Sequence, residues 1–428
     1  MTSIALVLII TFIICLVLSI PLGFTLGITA MVVTLFKGSI PLIIIPQRAL
    51  LGADSVALTA VPFFILAGHI MNQGGITVRL VNFTNVLVGR LRGGLALANV
   101  VSCMIFAGIS GSAVAESSGV GSVLIPAMKK EGYDADFSAA VTASASICGP
   151  IIPPSVPMVI YGINAGVSIG AMFLAGAIPG IILGLSLALL TYYYSIKRNY
   201  PKHGSVTLNQ AWKEFVSAIW ALIMPVIILG GIFSGVFTVT ESAAVAVVYA
   251  VFIAKYIYKD IAWNDLPNLI KEAAIDTAVI MFIIAIASLF GWTMAITRLP
   301  HLLTEFIFSL DVSVWVILLF LNIFLLFVGT FMEAISAMVI LIPLLLGPAK
   351  ALGIDPIHLG VILVFNLMLG LLTPPVGLCL YITGRIARVS LEDVVKASFP
   401  FLVVGIIVLM IVTYVPDLIL FLPRIWMN

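Results

Sequence analysis

Charge is what this sequence most lacks. Of its 428 residues only 9% are Asp, Glu, Lys or Arg, while 62% are hydrophobic. A soluble domain carries roughly 25% charged residues, so a soluble globular chain is excluded and an all-α polytopic membrane protein is expected. The net charge of +2 leaves no basic surface for nucleic acid. Cysteine is sparse too. Cys15, Cys103, Cys148 and Cys379 all fall in apolar segments without metal-ligand spacing, which argues against a disulfide framework or a zinc site and predicts free buried thiols. No G-x-x-x-x-G-K-[ST] phosphate loop occurs, so direct use of ATP is not expected. The Met-Thr-Ser start has neither a basic n-region nor a small-residue cleavage site, and the first apolar stretch is expected to remain as a span.

Long apolar runs are abundant. At about 20 residues per spanning helix, they predict spans over 4–20, 22–36, 55–72, 170–196, 215–235, 240–258, 273–297 and 397–422. Two longer stretches, 93–128 and 314–347, hold a small, polar middle ("GISGSAVAESSG" and "GTFMEA") and read as re-entrant hairpins whose tips must be enclosed by protein or water. Two more, 137–164 and 357–384, are interrupted by "GPIIPPS" and "GLLTPPV". A proline removes an amide donor and clashes with the preceding turn. A proline pair inside a span therefore forces the helix apart and frees carbonyls, and inside a bilayer such backbone survives only around a site. Inverted-repeat transporters build substrate and sodium sites from broken helices of this kind.

A shift of 221 positions places Gly108 on Gly329, Gly132 on Gly353, Asp134 on Asp355, Gly149 on Gly370, Pro153 on Pro374, Pro154 on Pro375 and Pro179 on Pro400. This register predicts an internal duplication: a first repeat over 1–196, a cytoplasmic linker over 197–214 and a second repeat over 215–428. Each repeat has five transmembrane helices, one of them broken, plus one re-entrant hairpin. Five is odd, so the repeats are expected to be inverted. If the 93–128 hairpin opens to the cytoplasm, fifteen of the 20 Lys and Arg lie in cytoplasmic loops, as the positive-inside rule requires. Both termini are then expected outside. Glu116 and Glu333 are costly at membrane depth unless they face a cavity or a partner, and Glu241 in "TVTES" reads as a first-turn residue of a helix.

"GISGSAVAESSGVGSVLIPAMKKEGY", "GPIIPPS", "GVFTVTESAAVAVV" and "ALGIDPIHLGV" followed by "NLMLGLLTPPVG" resemble the large membrane subunit of tripartite ATP-independent periplasmic (TRAP) transporters, over nearly the whole chain. The resemblance implies a sodium-driven importer in the bacterial inner membrane. Its partners would be a periplasmic substrate-binding protein and a small four-helix membrane subunit. Its movement would be of elevator type, and its substrate a small organic acid such as a C4-dicarboxylate, sialic acid or another sugar acid. It further implies a first sodium at Ser110, Ser112, Ser146, Gly149 and Pro150, and a second at Gly329, Glu333, Gly370, Thr373 and Val376. Substrate would touch Gly111, Pro154, Thr330 and Pro375. The family usually has Asp at the place of Glu116, and Asp-Thr near Glu333 and Ala334; the carboxylates persist here but the Thr hydroxyl is lost. Two sodium ions moving down a 100 mV potential and a tenfold gradient supply about 7 kcal/mol, enough for accumulation on the order of 10⁵-fold.

Two other readings stand beside this one. The chain could act as a stand-alone ion-coupled carboxylate carrier without a binding protein. Alternatively, "GISG" fits the G-x-S-G pattern of rhomboid-type intramembrane serine proteases with Ser110 as nucleophile, which would need a base within hydrogen-bond reach. His69 is the only histidine in an expected span, and His203, His301 and His358 fall in or beside loops.

Overall fold

The computed structural model describes residues 2–202 and 207–427. Residues 203–206, within the expected linker and including His203, lie outside the described residues. All regular elements among the described residues are helical. The first part of the chain runs through α1 (Thr2–Val17), α2 (Leu22–Lys37), α3 (Ile44–Ala53), α4 (Ala60–Gln73) and α5 (Ile76–Val88) to a hairpin of α6 (Gly94–Ser110) and α7 (Ala113–Lys130). A broken helix follows, α8 (Ala135–Ser146) and α9 (Val156–Ala165), and then α10 (Ile169–Lys197). The second part comprises α11 (Leu208–Phe233), α12 (Val239–Phe252), α13 (Leu266–Ile296), α14 (Leu299–Ser309), the hairpin α15 (Val314–Phe331) and α16 (Ala334–Ala351), the broken helix α17 (Pro356–Gly370) and α18 (Leu378–Ala387), α19 (Leu391–Tyr414) and α20 (Pro416–Trp426). Eight helical stretches among the described residues are long and apolar enough to cross a membrane.

The register found in the sequence recurs in the elements. Both ends of α16 lie 221 positions beyond those of α7, and the tolerated mid-helix prolines Pro179 and Pro400 occupy matching places in α10 and α19. Three helices have no counterpart among the expected spans, α3, α5 and α14, each of 10 to 13 residues. They are too short to register as 20-residue runs. In α5 the buried set is a single stripe of Ile76, Thr77, Leu80, Val81 and Thr84, which is the pattern of a surface helix with one apolar face. The expected 397–422 span divides at Val415, because Pro416 lacks the N–H that would continue α19 and is well placed to open α20. Glu241 is a helix-start residue as expected, closing a capping box with Thr238.

Burial sorts the helices into an interior and a rim. Every residue from Phe137 to Ser146 in α8, and from His358 to Gly370 in α17, is buried; helices apolar or small on all sides belong in a core. The Ala, Ser and Thr residues of α8 let α6, α7, α18 and α19 approach closely. By contrast α15 buries only a stripe through Leu318, Asn322, Leu325 and Gly329 and exposes Phe320, Phe324 and Phe327, a face suited to lipid. Asn322 stitches this rim helix inward, donating to Thr413 Oγ1 (3.0 Å) and accepting from Asn366 Nδ2 (2.7 Å).

The half-helices beyond the two breaks are exchanged. α9 packs on α16 and α17 of the second part, while α18 packs on α7 and α8 of the first. At the base of the first hairpin, Asp134 accepts from the Tyr200 hydroxyl and from Arg198, each at 2.7 Å. The Tyr200 bond foremost, with Arg198 beside it, holds the Asp134 carboxyl below the usual carboxylate range.

Candidate functional site

Each hairpin tip rests on its own break. At the first tip the chain turns through Gly111 with a positive φ of 57°, and a side chain there would lie 2.8 Å from the Pro154 carbonyl oxygen. Glycine is required on both counts. Ser112 then caps α7, accepting from the Ala115 amide (3.4 Å). At the second tip Gly329 and Gly370 meet backbone to backbone, since a Cβ on Gly370 would lie 2.5 Å from the Gly329 carbonyl carbon. The Val376 amide donates to the Thr330 carbonyl (3.3 Å), tying the second break to its tip.

The breaks follow from proline chemistry. Gly149 and Gly370 each stand four residues before a proline, so their carbonyls have no helical N–H to accept from. Tight turns take up part of the slack: Gly149 donates to Ser146 and Thr373 to Gly370, at 3.1 and 3.0 Å. The Pro150 carbonyl, expected to face an ion, already accepts from the Ser155 hydroxyl, which also caps α9. The Pro153–Pro154 and Pro374–Pro375 bonds are both cis.

The carboxylates divide differently from the expected set. Glu333 is exposed, and its two oxygens accept from the Ile335 and Ser336 amides at 3.0 and 2.9 Å; it is the N-cap of α16, the position that Ser112 holds on α7. Glu116, which the expected ion site left out, is fully buried in the first turn of α7. Its Oε1 accepts from the Ser110 hydroxyl (3.1 Å), and its Oε2 has no hydrogen-bond partner among the described residues. The carboxylate lies so close to Gly149 that a Cβ there would fall 2.3 Å from Oε1. The signal was present in the sequence, as a lone acid inside an apolar hairpin.

The other expected residues take these places. Ser110 is buried beside Glu116. Ser146 is buried and donates to the Ala143 carbonyl (2.8 Å), so the 2.7 Å bond to Ser117 is donated by Ser117, a residue missed at the sequence level. The Thr373 hydroxyl donates back to Leu369 (3.0 Å) and that of Thr330 to Phe327 (2.8 Å). Pro154 is buried, whereas Pro374, Pro375 and Val376 are exposed. The first tip–break pair is thus closed over and the second open. Ser110, Gly111, Gly149 and Pro154 come together at the first pair, and Gly329, Thr330, Gly370 and Val376 at the second.

A serine protease is not built here. Ser110 spends its proton on Glu116, and His69 bonds Asp276 (2.9 Å) with Glu272 beyond (3.7 Å). His358, expected at a loop edge, is buried in α17 against the Val412 carbonyl (3.1 Å). All four cysteines are free and buried, as expected.

Comparison with known proteins gives consistent matches. A family profile described as tripartite ATP-independent periplasmic transporter, DctM component, matches residues 9–418. The sialic acid TRAP transporter large permease protein SiaM of Vibrio cholerae is 39% identical over 408 residues, 95% of this chain and 96% of that one. The C4-dicarboxylate TRAP transporter large permease protein DctM of Pseudomonas aeruginosa is 38% identical, covering 88% of each chain. The isethionate TRAP transporter permease protein DctMQ of Oleidesulfovibrio alaskensis is 40% identical over 95% of this chain and 64% of its own length. Among solved structures, the YdaH transporter of Alcanivorax borkumensis superposes with a TM-score of 0.60 at 13% identity, over 88% of this chain and 86% of that one. MtrF of Neisseria gonorrhoeae gives 0.62 at 14%, over 87% and 83%. These two speak to the fold alone.

Proposed function

The chain belongs to the DctM family of tripartite ATP-independent periplasmic transporters, and from that premise we propose that it is the translocating subunit of a sodium-driven importer of a small organic acid. It is a multi-pass transporter permease and not an enzyme. Its relatives are named for sialic acid, C4-dicarboxylates and isethionate, which share one chemistry: a compact polar solute with an acidic group. A soluble binding protein would deliver the acid, and a small membrane subunit would flank this chain, as the fused DctMQ relative suggests.

The observation that carries the reading is the pair of glycine tips seated on proline breaks. The ligand atoms gathered there are oxygens, which suit a hard cation, and the buried Oε2 of Glu116, without a hydrogen-bond partner among the described residues, is open to a cation. Ser110, Glu116 and the Gly149 region would hold one sodium; Gly329, Gly370, Thr373 and Val376 the other. The acid would lie between the tips, near Gly111, Thr330, Pro154 and Pro375. Reconstitution tests this. Uptake into proteoliposomes should require an inward sodium gradient, the binding protein and the small subunit together. Uptake by this chain alone would favour the stand-alone carrier instead.

Thr373→Ala should raise the sodium concentration for half-maximal uptake severalfold, by removing a hydroxyl oxygen from the second break. An unchanged sodium dependence would remove Thr373 from the ion site. The 221-residue register, the odd number of crossings and the lysine and arginine bias support inverted repeats, with both termini periplasmic. Because the native cysteines are buried, Lys130→Cys and Ala351→Cys, at matching exposed positions, can be probed with an impermeant maleimide. They should label from opposite faces of the membrane; labelling of both from one face would refute the inversion.

A further inference from the structure

A cavity of about 740 Å³ opens at the base of the α15/α16 hairpin, remote from the tips and breaks. Its apolar lining includes Val314, Trp315 and Leu318 from the start of α15 and Leu420 from α20; its charged lining is Lys350, Arg424 and Asp355. Both cations are exposed. Arg424 is paired with Asp417 (2.7 Å), and Asp355 accepts from the Ile357 amide (2.7 Å) at the start of α17. His358 faces the Val412 carbonyl. The Lys350 ammonium has no hydrogen-bond or ion-pair partner among the described residues. Lys350 is therefore the one lining cation without an ion-pair partner among the described residues, next to an apolar wall, while the Asp355 carboxylate in the same lining is turned to the first amides of α17.

Its level in the membrane follows from its neighbours. Trp315 and Tyr414 pair at 5.3 Å between ring centroids, and the Tyr414 hydroxyl donates to the Trp315 carbonyl (3.1 Å). Paired Trp and Tyr at helix ends are characteristic of the membrane–water boundary. α20 has 11 residues, too few to span. It packs Ile419, Leu420 and Pro423 against the protein and exposes Phe421, Ile425 and Trp426 beside Asp417 and Arg424, a mixed apolar and charged face suited to the membrane–water interface. The apolar wall continues outward along the lipid-facing side of α15 through Val316, Leu319 and Phe320.

We propose that this cavity is a binding site for an anionic phospholipid, its phosphate beside Lys350 and Arg424 and an acyl chain along Val314, Trp315 and Leu318. A soluble anion has no use for the apolar wall, and a zwitterionic lipid has no net charge to match Lys350. The bound lipid bridges the second hairpin, through α16, to the interfacial helix α20.

Native mass spectrometry of the purified full-length chain tests the site, with dioleoyl phosphatidylglycerol and dioleoyl phosphatidylcholine as probes. One basic residue at a membrane surface favours an anionic lipid by roughly fivefold. The wild type should retain phosphatidylglycerol over phosphatidylcholine by at least that factor. Lys350→Gln should bring the two lipids near parity, and Lys350→Arg should restore the preference. Since Lys350 is exposed, neither variant is expected to alter elution or melting. No preference in the wild type, or a preference that survives Lys350→Gln, overturns the proposal. So does displacement of the lipid by equimolar glycerol 3-phosphate, which would make this a site for soluble anions.

Discussion

Alanine at Gly370 should abolish uptake while leaving the chain inserted in the membrane. The added methyl would lie 2.5 Å from the carbonyl carbon and oxygen of Gly329 and 2.6 Å from its Cα. These are main-chain atoms of another helix and cannot rotate aside, so the second tip must lift from its break. Overpacking of this kind costs about 1–3 kcal/mol, and each 1.4 kcal/mol withdrawn from the competent geometry is about tenfold in its population. Gly370→Ala is therefore expected to lower sodium-driven uptake at least about tenfold. Gly230→Ala is the control: a Cβ there meets nothing within 4 Å, and its uptake should remain near wild type. Wild-type rates in Gly370→Ala would mean that the two backbones need not touch for transport.

The second large effect is expected at Glu116. Glu116→Ala strands the Ser110 hydroxyl, opens a void in a fully buried region and deletes a negative charge. Uptake should again fall by more than about tenfold. Glu116→Gln separates the causes, because it keeps the volume and an acceptor for Ser110 but not the charge. If the charge serves a cation, Glu116→Gln should transport as poorly as Glu116→Ala, with protein of normal abundance and melting behaviour. Wild-type uptake by Glu116→Gln would reduce the residue to a packing role.

The parts of this fold that the sequence announces are those punctuated by proline and glycine. Doubled prolines, glycines at the tips and a shared 221-residue register are chemical marks, independent of what surrounds them. They located both helical hairpins and both breaks, and the contacts of Gly111 with Pro154 and of Gly329 with Gly370. Short amphipathic helices such as α5 and α20 carry weaker marks, since their apolar stripes are lost in a chain that is apolar nearly everywhere. The two acids were visible as costly charges in apolar stretches, but the division of their roles was not. Whether a glutamate near a tip caps a helix, as Glu333 does, or turns inward, as Glu116 does, depends on a single residue's offset from the turn. The exchange of α9 and α18 was illegible for a deeper reason: helical periodicity says which face is buried, never against which partner.

That exchange has a thermodynamic consequence. α9 begins at the first break and leans on α16, while α18 begins at the second and leans on α7 and α8. Whatever draws one break inward moves a helix seated in the opposite half. Were both pairs to bind ligands, as proposed, their occupancies would be linked through these contacts, and by reciprocity each would alter the other's affinity by the same factor. If the proposed cation and acid occupy these pairs, coupling between them requires no relay beyond this crossed seating.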